Sequence, residues 1–278
     1  MNAQQAINDW RRPPHPVSLR TGEVHIWRAS LDLADTDLVR LTHTLSTDEQ
    51  VRATRFCFGK DQRRFVAARG ILRNILSQYL NVGSSQLSFS YGPSGKPALM
   101  SAPEIDTLCF NLSHSDGLAL YAVALRTEVG IDLERIERSL AVGRIAESFF
   151  TTREAASLCA LRPEIQVTAF FNCWTAKEAY LKANGHGIAD GMRSFEVSLS
   201  PDGVVSEAAG LPYSLYMLDT APEYAAALIV HGSSQQLRHF EWDALMLREE
   251  SGTDSDRNEF SRSARLLPEP ISETQHRA

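Results

Sequence analysis

Apolar and polar residues alternate along the first half of the chain in patterns typical of short strands and one long helix. Val24 and Ile26 alternate with polar neighbours and predict the first strand. Ser46 or Thr47, followed by two acids, predicts a helix start, and apolar residues at helical spacing extend this helix through much of 51–80. Further strands are predicted at 87–91, 108–112 and 118–125, with polar turns at 92–97 and 113–117.

The second half mixes strands and helices in the same way, although we detect no sequence repeat between the halves. Its strands are predicted at 129–133, 195–199, 213–218 and 224–230. Its helices are predicted at 142–150, from the caps Thr151 and Thr152 to Leu161, and at 164–183, with Gly185 and Gly187 ending the last one. The chain turns polar from Arg248, so a disordered tail is predicted. We therefore divide the chain into a lead-in (1–20), two α+β halves (21–127 and 128–247) and a tail (248–278).

Composition narrows the class of protein. Hydrophobic residues make up 43% and charged residues 22% of the chain, which is ordinary globular usage and excludes a mainly disordered, collagen-like or coiled-coil protein. No apolar run reaches the roughly 18 residues of a membrane span, and the polar start has no signal-peptide core. The net charge of −6 disfavours wholesale nucleic-acid binding. The four cysteines have no CxxC spacing, so reduced, buried thiols in a cytosolic protein are expected at Cys57, Cys109, Cys159 and Cys173.

Two carboxylates fall on one face of the strand predicted at 129–133. Side chains on a strand alternate between faces, so Asp132 and Glu134 would lie roughly 6.5–7 Å apart, opposite the apolar residues. A hard cation such as Mg²⁺ favours two neighbouring carboxylates together with water and phosphate oxygens. The alternative is a solvated polar face beside Arg135 and Arg138, and the spacing alone favours this alternative.

The helix predicted at 164–183 carries an acid on a largely apolar stripe. Trp174, Glu178 and Lys182 recur there at helical spacing. Lys182 lies one turn beyond Glu178, which permits an ordinary ion pair on the helix surface. In the functional interpretation, Glu178 is a metal ligand or general base and Lys182 faces a phosphate or leaving group. Both interpretations stay open at this point.

Several other segments offer contacts for an anion. Ser113 and His114 follow a predicted strand, and His114 would contact an anion or serve as a hydrogen-bonded turn residue. Lys96 follows a glycine, but Pro97 after it rules out a Walker loop, and no GxSxG elbow indicates a serine hydrolase. A basic stretch would hold phosphates, dock an acidic protein or form a solvated helix face; it contains Arg52, Arg55, Lys60, Arg63, Arg64, Arg69 and Arg73. Together these groups favour phosphoryl-type transfer from a polyphosphorylated donor.

The distribution of basic residues is uneven. Lysine stands at only four of the 28 Lys and Arg positions, namely Lys60, Lys96, Lys177 and Lys182. In a chain that otherwise uses Arg, these positions indicate a need for a compact ammonium group. Genome composition together with chance explains the same split, so the four lysines are only pointers to sites.

Four motifs together resemble the 4′-phosphopantetheinyl transferases, in particular the monomeric type that activates surfactin synthetase. They are GKP at 95–97, FNLSHS at 110–115, VGIDLER at 129–135 and WTAKEAYLKANGHG at 174–187. The motifs occur in the order of the family, and the resemblance covers roughly residues 22–240. It implies an α+β fold of two similar α/β halves related by pseudo-twofold symmetry.

The resemblance also implies an activity and a set of site residues. A member of this family moves the phosphopantetheine arm of coenzyme A to a serine of an apo acyl or peptidyl carrier protein and releases adenosine 3′,5′-bisphosphate. The implied Mg²⁺ ligands are Asp132, Glu134 and Glu178, and the implied catalytic residues are Glu178 and Lys182. The implied coenzyme A contacts are Arg52, Lys96, Ser113, His114 and Lys182. A cytoplasmic monomer without nucleic-acid or membrane partners is expected.

Some points depart from the family pattern or stay open. Asp116 places an acid beside the implied phosphate loop, so we expect it to face solvent. The roles of Arg69 and Arg73, the carrier protein served and the purpose of the tail stay open. Two other classes compete with the transferase: a binding module that no longer catalyses, and a Mg²⁺-dependent phosphohydrolase or nuclease that uses the same carboxylates.

Overall fold

The computed structural model describes residues 10–100, 108–185, 191–207 and 212–247. The chain forms two compact units, Met1–Asp243 and Ala244–Ala278. Of the second unit, the description covers residues 244–247, where the Leu247 N–H donates to the Ala244 carbonyl at 3.3 Å. The whole of the predicted disordered tail (248–278), the start of the lead-in and Gly187 lie outside the described residues.

A four-stranded sheet and one long helix dominate the first half. The sheet has the strand order β11-β1-β5-β4, and β1 and β4 both pair antiparallel with β5. The last strand of the second half, β11, completes the sheet by pairing parallel with β1. The elements are β1 (Glu23–Ser30), α1 (Asp35–Thr42), α2 (Thr47–Ala53), α3 (Gly59–Leu80), β2 (Phe89–Tyr91), β3 (Pro97–Leu99), β4 (Leu108–Ser115), β5 (Leu118–Leu125) and β11 (Gln236–Glu241).

The second half repeats the order of the first: a strand, three helices, a two-stranded hairpin and two antiparallel strands. Its main sheet has the order β6-β10-β9, with antiparallel pairing throughout, which matches the β1-β5-β4 part of the first sheet. This shared order confirms the expected α+β fold of two similar halves, while the exact boundaries between them stay a prediction. The elements are β6 (Val129–Arg135), α4 (Val142–Phe149), α5 (Thr152–Cys159), α6 (Pro163–Asn184), β7 (Val197–Leu199), β8 (Val205–Glu207), β9 (Tyr213–Met217) and β10 (Tyr224–His231).

The long helix of the second half has clear start and stop signals. Pro163 occupies the first turn of α6, where its missing N–H removes no helical hydrogen bond. Gly185 follows the last turn with a φ of 69°, the left-handed conformation that glycine adopts without strain. These signals place the ends of α6 within one or two residues of the predicted range.

Side chains join the two halves where β4 lies beside β6. Asn111 Oδ1 accepts a hydrogen bond from the Ile131 N–H at 2.9 Å, and Ser115 Oγ accepts one from the Arg135 N–H at 3.1 Å. No backbone ladder connects these two strands among the strands that the structure describes. The polar turn motif of the first half therefore lies directly against the strand that carries the two carboxylates.

The structure differs from the predicted elements in a few places. The single helix predicted over 51–80 is divided into α2 and α3, and in the connection between them the ring of Phe56 contacts that of Phe65, with their centroids 5.2 Å apart. The turn predicted at 113–117 is shorter, since β4 continues through Ser115 and the reversal takes place at Asp116. The pattern gave no signal for α1, β3, β8 and β11.

The prediction of four buried thiols is wrong in part. Cys173 is buried and Cys109 is partly exposed, but Cys57 and Cys159 are exposed. Cys57 lies in the connection between α2 and α3, between two phenylalanines that are themselves exposed, and Cys159 is the last residue of α5. All four thiols are free. Within the described residues, none of the helices is long and apolar enough to span a bilayer.

Candidate active site

The alternation along β6 places its two acids on the face that α6 covers. Val129, Ile131 and Leu133 are fully buried in the core between the two sheets. Asp132 projects from the opposite face and is only 2% exposed, and Glu134 beyond it is half-buried. The solvated polar face considered from the sequence is therefore wrong for Asp132.

Gly130 allows α6 to pack directly on this face of β6. A Cβ atom at Gly130 would lie 2.0 Å from the Ala179 carbonyl oxygen and 2.3 Å from the Ala183 nitrogen. Both of these atoms belong to the backbone of α6, so no rotamer change in the helix would make room. We predicted no role for Gly130 from the sequence. Its position two residues before Asp132, on the same face of the strand, could have indicated a close approach of another element.

This close packing brings a third carboxylate to the two on β6. Glu178 on α6 is 6% exposed, and burial raises its pKa from an ordinary 4.5 to about 7. The Asp132 and Glu134 carboxylates contribute to this rise, and Lys182 opposes it. The pKa of Glu134 is also raised, first by burial and then by Asp132. Glu178 is thus close enough to Asp132 and Glu134 for the three charges to affect one another, while their role as metal ligands stays a prediction.

Lys182 forms its ion pair with β6 and not with Glu178 one turn earlier on its own helix. Its Nζ lies 2.6 Å from Asp132 Oδ1 and donates to Ser113 Oγ at 2.9 Å. Ser113 Oγ in turn donates to the same oxygen of Asp132 at 2.9 Å. Lys182 therefore pairs with Asp132, and the ion pair with Glu178 that the helical spacing permitted is not the one that forms.

The donor chemistry at this site fits a divalent cation. Asp132 Oδ2 and Glu178 Oε1 are buried and have no hydrogen-bond partner. A buried carboxylate oxygen without a partner is unfavourable, and such oxygens are the ligands that Mg²⁺ prefers. In the described geometry, however, no group of three or more His, Cys, Asp or Glu side chains converges as a metal site within the described ranges. The Lys182 ammonium balances the charge of Asp132 in this arrangement.

A basic cavity of about 420 Å³ opens beside Lys182. Four of the five residues predicted to contact coenzyme A line it, and the fifth, Ser113, hydrogen-bonds to one of those four. Aromatic side chains form another part of the wall. The lining residues that matter for the site are Arg52, Phe56, Tyr91, Lys96, His114 and Lys182.

Two of the cavity residues are constrained by the protein. Lys96 Nζ lies 2.9 Å from Glu128 Oε2 and donates to the Ala183 carbonyl at 3.2 Å, so the turn between β2 and β3 is held against the end of α6. Burial lowers the pKa of His114, and the charges of Lys182 and Arg64 lower it further. A neutral His114 then presents one N–H donor and one acceptor nitrogen near neutral pH.

We expected Asp116 to face solvent, but the structure shows its carboxylate in ion pairs with two arginines. The carboxylate is paired with Arg64 and with Arg135, whose Nη1 lies 2.7 Å away. Hydrogen bonding and charge from Arg64 hold the pKa of Asp116 below its usual value. The two guanidinium groups therefore compensate the acid beside the phosphate loop.

Arg69 and Arg73 belong to a buried ion cluster and not to a solvated helix face. Arg69 Nε and Arg73 Nε donate to the two oxygens of Glu49, at 2.8 and 2.6 Å. Glu49 is 1% exposed and Arg73 is fully buried. The cluster fastens α2 to α3, so we assign both arginines a structural role, with Arg69 also reaching the cavity wall.

Comparisons with known proteins identify the family of the chain. The family model of the 4′-phosphopantetheinyl transferase superfamily matches residues 128–229, and the model of the N-terminal part of 4′-phosphopantetheinyl transferase matches residues 27–126. The 4′-phosphopantetheinyl transferase HetI of Nostoc sp. (strain PCC 7120) is 41% identical over 227 residues, which are 82% of this chain and 95% of that protein. The 4′-phosphopantetheinyl transferase Sfp of Bacillus subtilis (strain 168) is 30% identical over 168 residues, which are 60% of this chain and 72% of Sfp.

A solved structure of a holo-(acyl-carrier-protein) synthase from Bacillus anthracis is also similar. It covers 38% of this chain and 96% of its own, at 23% identity and a TM-score of 0.31. From the family models and HetI, the chain belongs to the 4′-phosphopantetheinyl transferase family, and phosphopantetheine transfer is its function. Within that family it is of the Sfp-like type, as its Bacillus relatives show.

The raised pKa of Glu178 predicts a pH-dependent stability in the metal-free protein. The folded chain holds this proton more tightly than the unfolded chain, so the stabilisation is complete below about pH 4.5 and is lost as the pH rises through about 7. At about 1.4 kcal/mol for each pH unit, the loss approaches about 3 kcal/mol. Urea unfolding in EDTA at about pH 5 and about pH 8 measures it, with Glu178→Gln as the reference that cannot titrate. An identical pH dependence in the two proteins would contradict the prediction.

Proposed function

We propose that this chain transfers the phosphopantetheine arm of coenzyme A to a serine of an apo acyl or peptidyl carrier protein, with Mg²⁺ as cofactor. The observation that carries the proposal is the electrostatic coupling of Glu178 with Asp132 and Glu134, next to Lys182 in the wall of a basic cavity. Carboxylates for a cation and basic groups for phosphates are the two components that phosphoryl-type transfer requires.

The cavity supplies the donor site. Arg52, Lys96 and Lys182 bring three positive charges to its wall, which favours a ligand that carries several phosphates. His114 adds a neutral hydrogen-bonding group at the same wall. We assign these residues to the phosphates of coenzyme A, and Arg52 in particular to the 3′-phosphate.

The three carboxylates are the residues that would hold Mg²⁺. Among the described residues, Asp132 Oδ2 and Glu178 Oε1 are the two buried carboxylate oxygens that lack a hydrogen-bond partner, and Glu134 is electrostatically coupled to Asp132. When bound, the ion neutralises charge on the diphosphate of the donor. Without the ion, the Lys182 ammonium pairs with Asp132, and the pKa of Glu178 stays near 7.

The chain's own residues then move the proton and stabilise the leaving group. Glu178, directly or through water, takes the proton of the carrier serine. The serine oxygen forms a bond to the β-phosphorus of coenzyme A, and the bond from that phosphorus to the bridging oxygen breaks. Adenosine 3′,5′-bisphosphate leaves with the bridging oxygen, whose developing charge Lys182 stabilises.

One assay separates the transferase from the two competing classes. Wild-type protein is incubated with coenzyme A, Mg²⁺ and an apo carrier protein, and the intact mass of the carrier is measured. We expect a gain equal to one phosphopantetheine, and none when EDTA replaces Mg²⁺. A hydrolase would consume coenzyme A and leave the carrier unmodified, and a binding module would change neither. Either of these results would contradict the proposal.

The expectations of a monomer and of a cytoplasmic location stay predictions. Gel filtration with light scattering tests the first, and cell fractionation tests the second. The carrier that is used best can be identified by ranking a panel of apo carriers by turnover.

A further inference from the structure

The lysine that precedes Glu178 forms a buried ion pair that the proposed mechanism does not use. Lys177 is fully buried on α6, and its Nζ donates to both oxygens of Glu154, at 2.7 and 2.9 Å. The same ammonium also donates to the Phe195 carbonyl. Three acceptors therefore match the three N–H groups of one ammonium.

Glu154 connects this ammonium to two further elements. One of its oxygens accepts the Val197 N–H at 2.9 Å, at the start of β7. The other accepts the Thr151 N–H at 2.8 Å and closes the capping box of α5. The pair thus holds a single point on α6 to both α5 and β7, through a network in which each carboxylate oxygen accepts two hydrogen bonds.

Consecutive residues of a helix point in directions about 100° apart on one rigid backbone. A contact that fixes the direction of Lys177 therefore also fixes the direction of Glu178. Glu178 is turned toward β6, whereas Lys177 is held by α5 and β7. At a side-chain radius of about 5 Å, a rotation of about 10° about the helix axis moves a group by about 1 Å. On the β6 side the backbone of α6 rests on Gly130, which sets the distance between helix and strand. The polar contact there is made by the end of the long Lys182 side chain, which reaches Asp132 at 2.6 Å, whereas Lys177 is held at a fully buried site by α5 and β7.

We propose that Lys177 and Glu154 are positioning residues that fix the rotation of α6 and thereby hold the Glu178 carboxylate beside Asp132. The inference rests on the proposed role of Glu178. The three acceptors around one nitrogen also explain why position 177 is a lysine in a chain that otherwise uses arginine. A guanidinium group is too large and too flat for this site.

The test removes the pair without leaving a buried charge. A single Lys177→Met substitution would strand the Glu154 carboxylate and unfold much of the protein, so the variant is the double substitution Lys177→Met with Glu154→Gln. Glutamine at 154 keeps an oxygen for the Val197 N–H. Ile75→Ala is the matched control, because it removes buried volume from α3 in the first half of the chain. Each protein is assayed well below its own unfolding temperature.

Two measurements are made on these proteins and on wild type: kcat and KM for coenzyme A with an apo carrier, and hydrogen exchange of the α6 amides by mass spectrometry. For the double variant, we expect kcat to fall about 100-fold, since a displacement of about 1 Å is enough for that loss. We expect its KM for coenzyme A to change less than about threefold, because the cavity residues are intact. The α6 amides should exchange faster in the double variant, while Ile75→Ala keeps the wild-type kcat.

The outcomes separate this inference from the proposed function. If the double variant keeps the wild-type kcat, or if Ile75→Ala loses kcat to the same extent, the positioning role is overturned while the transferase stands. If wild-type protein fails to modify the carrier, the proposed function fails, and hydrogen exchange alone decides the positioning role. Wild-type protection of α6 in the double variant would then overturn it.

Discussion

Replacing Glu178 by glutamine should lower kcat by about 1,000-fold, within the range that a general base contributes. Glutamine keeps the size of the side chain but can neither accept the serine proton nor carry the charge that a cation requires. Steady-state kinetics with an apo carrier and coenzyme A measure the effect. If Glu178 acts chiefly as the base, KM for coenzyme A stays near the wild-type value, and if it acts chiefly as a ligand, KM rises as well.

Glu164→Gln is the matched control for this experiment. Glu164 is an exposed acid in the first turn of the same helix, so the chemical change is identical while the site is untouched. We expect the control to keep wild-type kinetics. A Glu178→Gln protein with kcat within about threefold of wild type would remove Glu178 from the mechanism.

The Gly130→Ala substitution should damage both stability and catalysis. The added methyl group would lie 2.0 Å from a backbone oxygen of α6, so the helix has to move away from β6 by about 1 Å or more. Overpacking of this kind destabilises a protein by about 1–3 kcal/mol. A displacement of about 1 Å between Glu178 and Asp132 should lower kcat by about 100-fold. Urea unfolding and kcat per folded molecule are the two measurements.

Gly143→Ala provides the control for the added methyl group. A Cβ atom at Gly143, in α4, would meet nothing within 4 Å. Alanine is also the better helix former, so we expect unchanged kcat and a stability gain of at most about 1 kcal/mol. If Gly130→Ala unfolds at the wild-type urea concentration and turns over at the wild-type rate, the close packing of α6 on β6 is not required for the site.

The parts of the site that local patterns encode could be predicted from the sequence. Alternation along β6 predicts that Asp132 and Glu134 share a face, and helical spacing predicts that Glu178 and Lys182 share another. That these faces meet was implied only by the resemblance to a family, because strand and helix are separated by many residues along the chain. The close approach at Gly130 shows how the meeting is achieved.

The contacts that the sequence could not reveal are mostly between distant residues. Lys182 takes Asp132 as its partner over its near neighbour Glu178, and Arg73 pairs with Glu49 inside the core. Neither choice is visible in spacing, because it depends on which elements pack together. The hairpin between β4 and β5 is different: the Asp116–Gly117 pair is a strong turn signal that would have placed the reversal correctly.

The parallel pairing of β11 with β1 has a consequence for how the chain folds during synthesis. β1 is synthesised early, but its partner strand β11 (residues 236–241) is synthesised only after all the other strands of both halves. Until then, the nascent chain carries an open β-edge on its first sheet, with N–H and C=O groups free to pair with another molecule. Until residues 236–241 have left the ribosome, this edge is therefore a site at which the nascent chain is open to aggregation.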